Sequence, residues 1–169
     1  MYHKCNGIVI AVLVDFDLAK DLGNGSQRSS RHRSGTVPFM AASLLRNPSH
    51  EQTLHEDFES ACYILLWTAL GYKGSQPPKD SKDPLITWRD GSLEMIAARK
   101  FELFTAHDTW VSLREAIIEP YTILSEAINE LRFFVYSYTG REIYKSTRRP
   151  FTPPTIPEYM AALRIPLEE

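Results

Sequence analysis

Between Thr53 and Gly71 the chain carries a run that has to be buried on most of its sides. Leu54, Phe58, Ala61, Leu65 and Ala69 recur at helical spacing, and Cys62, Leu66 and Leu70 widen the apolar face. Thr53 followed by Glu56 is a capping-box signature, and Gly71 supplies a stop. A helix of this kind needs neighbours, and the rest of the chain offers them. Ser92 can cap a helix with Leu93, Ala97, Phe101 and Phe104 on one side. Asp108 can cap another that stops at Pro120, and Tyr121, Leu124, Ile128, Leu131, Val135 and Tyr138 then step by three and four as far as Gly140. Trp67, Trp88 and Trp110 are expected in the core.

The other segments read differently. Gly7 to Val14 is dense in β-branched residues and bounded by Asp15, which predicts a buried strand or tight hairpin. From Leu18 to Asn47 no period is sustained, and Gly23, Asn24 and Gly25 mark a long loop. Residues 72 to 91 form a polar connection, and Pro150 to Pro157 is expected to be extended. With 169 residues, 43% of them apolar, the chain can bury a core of its own as one domain.

A net charge of −2 gives no global field to gather nucleic acid or an anionic membrane, so neither is expected as a partner. The basic cluster Arg28, Arg31, His32 and Arg33, interleaved with serines, reads as a solvated loop. Cys5 and Cys62 sit far apart, which points to a reducing, intracellular compartment, cytoplasmic or nuclear. The apolar stretch Ile8 to Val14 is too short to span a membrane.

Three segments carry chemistry when taken in order: Leu13-Val-Asp-Phe-Asp-Leu-Ala-Lys20, Ser34-Gly-Thr-Val-Pro-Phe-Met-Ala41, and Glu56-Asp-Phe-Glu-Ser-Ala-Cys-Tyr-Ile-Leu-Leu-Trp67. Their wording and spacing resemble the fungal-type protein kinase family, over roughly Gly7 to Tyr138. The first resembles the metal-binding motif, the second the end of the activation segment, and the third the long buried helix of the C-lobe. The resemblance implies a mainly α-helical, protein-kinase-like C-lobe with a small β element at its N-terminus, spanning residues 7–140, and a Pro-rich C-terminal tail over 141–169.

It also implies roles. Asp15 stands where the family places a carboxylate for Mg²⁺, a hard cation that prefers oxygen. Asp17, where kinases usually have Gly, and Thr36 belong to the activation segment, and Thr36 favours Ser/Thr specificity. Asp57 resembles the helix Asp that accepts N–H groups from the catalytic loop, a structural anchor expected to be buried. Mg²⁺ and ATP are the implied cofactors, and a protein substrate or partner protein the implied partner.

Two departures limit that reading. The Gly-rich phosphate loop, the strand Lys paired with a helix Glu, and the H-R-D-x-x-x-x-N loop are not in the sequence. The family usually keeps a Glu after Phe-Met-Ala, where this chain has Ser43. The expectation is a partial, truncated ATP-dependent Ser/Thr-type kinase domain that is inactive as this chain. The alternative is a kinase-derived, non-catalytic protein-binding module.

Other chemistries fit less well. His50, Glu51 and His55 are spaced H-E-x-x-x-H, which puts the histidines about 140° apart on a helix, and both are expected to be solvated. No complete dinucleotide glycine loop and no G-x-S-x-G elbow occurs.

Overall fold

Thr53 starts the helix on which the others are built. Its backbone N–H and its hydroxyl both donate to Glu56 Oε2, at 2.8 and 2.6 Å, and its Oγ1 accepts from the backbone of His55. This capping box satisfies donors that a helix start would otherwise leave open. The computed structural model describes residues 2–5, 8–11, 36–47, 49–50, 52–72, 85–143 and 155–163. Most of these are helical.

The chain divides into two units, Met1–Ser34 and Gly35–Glu169. In the first, β1 (Tyr2–Cys5) pairs antiparallel with β2 (Ile8–Ala11), with Cys5 opposite Ile8 and Tyr2 opposite Ala11. Asp15 and Asp17, and the basic serine-rich stretch, lie outside the described residues.

The second unit holds α1 (Ala42–Arg46), α2 (Leu54–Ala69), α3 (Leu93–Thr105), α4 (His107–Glu115), α5 (Leu124–Ile143) and α6 (Ile156–Ala162). Phe58, Cys62, Tyr63, Leu66, Trp67, Ala69 and Leu70 along α2 are buried, against Ile128, Leu131 and Val135 of α5, Leu103 and Phe104 of α3, and Trp110 and Leu113 of α4. Each fully buried leucine of this core contributes roughly 1.5–3 kcal/mol. All three tryptophans are inside, as their sequence context predicts. A smaller cluster of Met40, Ala42, Leu45, Ile96 and Ala97 seats α1 on α3.

Gly71 ends α2 as expected, and its φ of +78° explains why glycine stands there. A Cβ at that position would lie 2.4 Å from Ile118 Cδ1. Helix boundaries differ elsewhere. Ser92 Oγ accepts from Met95 N–H and caps α3. The break before α4 falls at the extended residue Ala106, whose N–H closes α3 on Glu102 O, so Asp108 lies within the first turn and is not the cap. α4 ends at Glu115, ahead of Pro120. α5 runs through Gly140, past the boundary drawn there.

The expectation of an extended tail fails at its C-terminal end. Thr155 and Glu158 make a second capping box, with Pro157 in the first turn, so Ile156–Ala162 is helical. Tyr159 of this helix stacks on Phe58 of α2 at 4.0 Å, with ring planes 3° apart. It also meets Phe134 of α5 edge-on at 6.1 Å. Between α2, α5 and α6 lies an apolar groove of about 450 Å³, lined by Ala61, Ile64, Leu65, Leu124 and Leu163 among others.

Because Tyr159 ties α6 to the central helix, Tyr159→Ala is expected to cost about 2 kcal/mol. Thermal melting should show a drop of several degrees. An unchanged melt would mean that α6 does not contribute to the stability of the fold.

Candidate functional site

The short turn Thr36 to Ala42 is the segment around which the polar residues of the second unit gather. Pro38 sets the backbone of a single 3₁₀ turn over Val37–Phe39, closed by Phe39 N–H on Thr36 O at 2.8 Å. Phe39 points its edge at Trp67 of α2, 5.3 Å away. The remaining carbonyls of the turn then need donors, and a helix side chain supplies them.

That side chain is Lys100 of α3, whose relative exposure is 0%. Its ammonium donates to Val37 O at 2.8 Å and to Met40 O. It also lies 4.5 Å from the ring centre of Tyr63 and 5.6 Å from that of Trp88. Burial pushes the ammonium down to about 7, and the charge of Glu59 works against that shift.

Glu59 of α2 holds the other end of the turn. Its Oε1 accepts from Ala42 N–H at 2.7 Å and from the Tyr63 hydroxyl. Complete burial raises this carboxyl above its ordinary range, against the effect of these two hydrogen bonds and of the charges on His55 and Lys100. Tyr63 is raised well above the ordinary phenol by burial, and by the neighbouring Glu59.

Glu56 completes the arrangement. Its Oε1 accepts from Ser43 Oγ at 3.1 Å and pairs with His50 Nε2 at 2.8 Å, while Oε2 caps the helix through Thr53. Burial alone would raise this carboxyl, but the hydrogen bonds from Thr53 and His50 outweigh it and hold Glu56 below its ordinary range. Ser43, standing where the resemblance leads one to expect Glu, is a donor to a buried carboxylate. A second carboxylate there would face Glu56 as a like charge.

The residues singled out from sequence fall in several places. Asp15 and Asp17 lie outside the described residues. Thr36 is exposed at the head of the turn, and its side chain makes no cap bond. Asp57 is on the first turn of α2, but it is exposed and not buried, with Gln52 Nε2 donating to its Oδ1 at 2.7 Å. Partial desolvation raises its carboxyl, Gln52 opposes this, and the charge of Glu56 adds to the rise.

The histidines correct the expectation that both are solvated. His55 is buried on the inner side of α2, 5.9 Å from the ring of Tyr138, and His50 is drawn to Glu56. Glu56, Glu59 and Lys100 went unnoticed as site residues. Their signal was position: Lys100 falls on the stripe of Ile96, Ala97, Leu103 and Phe104, and Glu59 on that of Phe58, Cys62 and Tyr63. Among the described residues no cluster of three His, Cys, Asp or Glu is placed to hold a metal ion.

Comparison with protein families gives one match. Residues 4–69 fit the family model described as fungal protein kinase. Over that span the chain is similar to the fungal protein kinases. The match covers less than half of the chain and ends with α2, short of the wider span over which the motifs resemble that family. Comparisons with curated proteins and with solved structures return no match.

Glu56 and Asp57 separate cleanly in their expected effects. Glu56 sits below its unfolded value, so its contribution is present above the ordinary carboxylate range and is lost as pH falls through its folded value. Glu56→Gln should therefore cost about 1–3 kcal/mol at neutral pH, a difference that shrinks in acid denaturation series. Asp57→Asn should stay within about 0.5 kcal/mol. Equal losses from the two variants would contradict this assignment.

Proposed function

We propose that the chain forms the C-lobe part of a fungal-type Ser/Thr protein kinase domain, with residues 7–140 making that lobe and 141–169 an extension, and that on its own it transfers no phosphate. The single observation that carries this reading is the family match over residues 4–69. That span contains, in order, Asp15-Phe16-Asp17, Gly35-Thr36 and the helix Glu56 to Trp67. The helical body supports it, and so does the turn after Thr36, held between α2 and α3.

In this reading Asp15 offers a carboxylate oxygen to Mg²⁺. The ion, when bound with ATP, supplies charge neutralisation at the phosphates. Asp17 and Thr36 belong to the activation segment, and the exposure of Thr36 leaves its hydroxyl open to the substrate side. Asp57, exposed here, is available to accept N–H groups from a catalytic loop. The groups that cover the ATP phosphates and position the acceptor hydroxyl are not in these 169 residues, which is why the isolated chain is read as inactive.

An alternative role as a kinase-derived protein-binding module has one observation in its favour. The turn is held by Lys100 and Glu59 from within the fold, so its shape does not depend on nucleotide. In either role the partner is a protein. The compartment we assign is intracellular, in keeping with the buried Cys62, whose thiol burial pushes up to about 12. Among the described residues no helix is long and apolar enough to cross a membrane.

Purified chain with Mg²⁺ and labelled ATP is expected to label neither itself nor a generic Ser/Thr acceptor above background. Labelling that survives purification and is lost in Asp15→Asn would overturn the inactive reading. Supplied with an upstream half from a related kinase that carries the three absent motifs, the chain should gain activity that Asp15→Asn abolishes. Failure to gain it while the helices stay folded would favour the binding module.

A further inference from the structure

Opening the turn 37–42 would do two things at once. It would break the contacts of Lys100 with Val37 O and Met40 O and of Glu59 with Ala42 N–H, and it would admit water to two side chains of 0% and 1% relative exposure. A buried ionisable pair that gives its polar atoms to one backbone segment couples the conformation of that segment to its own ionisation. We propose that Lys100 and Glu59 form a charge-regulated latch on this turn, which opens as both side chains reach water as full ions. The inference goes beyond the kinase reading and does not depend on it.

The sign of the coupling follows from each group. Glu59 is raised in the closed state, so opening releases a proton between the ordinary carboxylate value and the raised one, and opening grows with pH across that window. Lys100 is lowered from 10.5 to about 7 in the closed state, so opening takes up a proton between those values, and opening declines as pH rises through them. The frequency of opening is therefore bell-shaped in pH, rising on the acid side through Glu59 and falling on the alkaline side through Lys100.

Several other groups face the pair. On α2 these are Tyr63, bonded to Glu59, together with His55 and Cys62. Arg46 of α1 acts on Tyr63, and Arg132 of α5 acts on Cys62. Tyr63 and Cys62 are both pushed upward and keep their protons through the neutral range. Neither of these two therefore supplies a limb of the bell, and the Glu59 and Lys100 variants below assign the limbs.

Hydrogen exchange of the full chain, read at the Phe39, Met40 and Ala42 amides and divided by the intrinsic rate, measures this opening directly. From about pH 5 to about pH 9 the corrected rate should climb, peak and fall, with slopes of up to about tenfold per pH unit. Glu59→Gln should remove the acid limb. Lys100→Arg keeps donors but not the lost proton, and should remove the alkaline limb. If either variant does not fold, the unsubstituted chain decides alone. A flat profile, a minimum near neutrality, or a profile shared by the Leu66 amide in the centre of α2 would overturn the latch, the last by showing that only global unfolding is seen.

Discussion

The structure depends on the way α2 buries two carboxylates one turn apart. A helix this apolar could be surrounded by hydrocarbon alone, yet Glu56 and Glu59 stand on its inner side and are nearly inaccessible. Their oxygens have to find donors or the fold loses several kcal/mol. The donors they find are Ser43, His50, Thr53, Ala42 N–H and Tyr63, so the placing of α1 and of the turn before it is dictated by the need to satisfy α2. Lys100 answers the same need from the opposite side, since its charge is set against that of Glu59 and its donors meet carbonyls of that turn.

Polar burial of this sort is a weak source of stability, because desolvation offsets most of the attraction. Its value lies in discrimination. An apolar α1 could slide along α3 with little penalty, since Met40, Ala42 and Leu45 meet Ile96 and Ala97 through contacts that have no direction. With Lys100 bonded to two carbonyls three residues apart, a slip would strand an ammonium and two carbonyls together. Arg132 does a similar thing about one turn further along α3: it is buried between Trp110 and Phe133 and donates to Leu103 O.

Much of the helical body was legible from residue pattern. The capping box at Thr53, the stop at Gly71, the cap at Ser92 and the long amphipathic face from Tyr121 are local signals, and local signals survive translation into structure. What was not legible depended on partners distant in the chain. Lys100 reads as an ordinary helix lysine until its carbonyl acceptors, 60 and 63 residues earlier in the numbering, arrive beside it. Asp57 reads as an anchor because its motif has that role elsewhere, yet in this fold Gln52 is the group that meets it. The proline-rich tail hid a helix start because four prolines between Pro150 and Pro157 outweighed one Thr-x-x-Glu signature. The metal position Asp15 is a reading from motif and family alone.

The stacked rings of Phe58 and Tyr159 carry a lesson about boundaries. The match to the fungal protein kinase family ends at residue 69, but the helix that ends there has its faces covered by α3, α4, α5 and α6, all of later sequence. A segment cut to the span of the family match would keep the donors of Glu56 and Glu59 but would present Leu66, Tyr63 and Phe58 to water. The stretch that the family model matches and the stretch that buries the faces of α2 are therefore different lengths of chain.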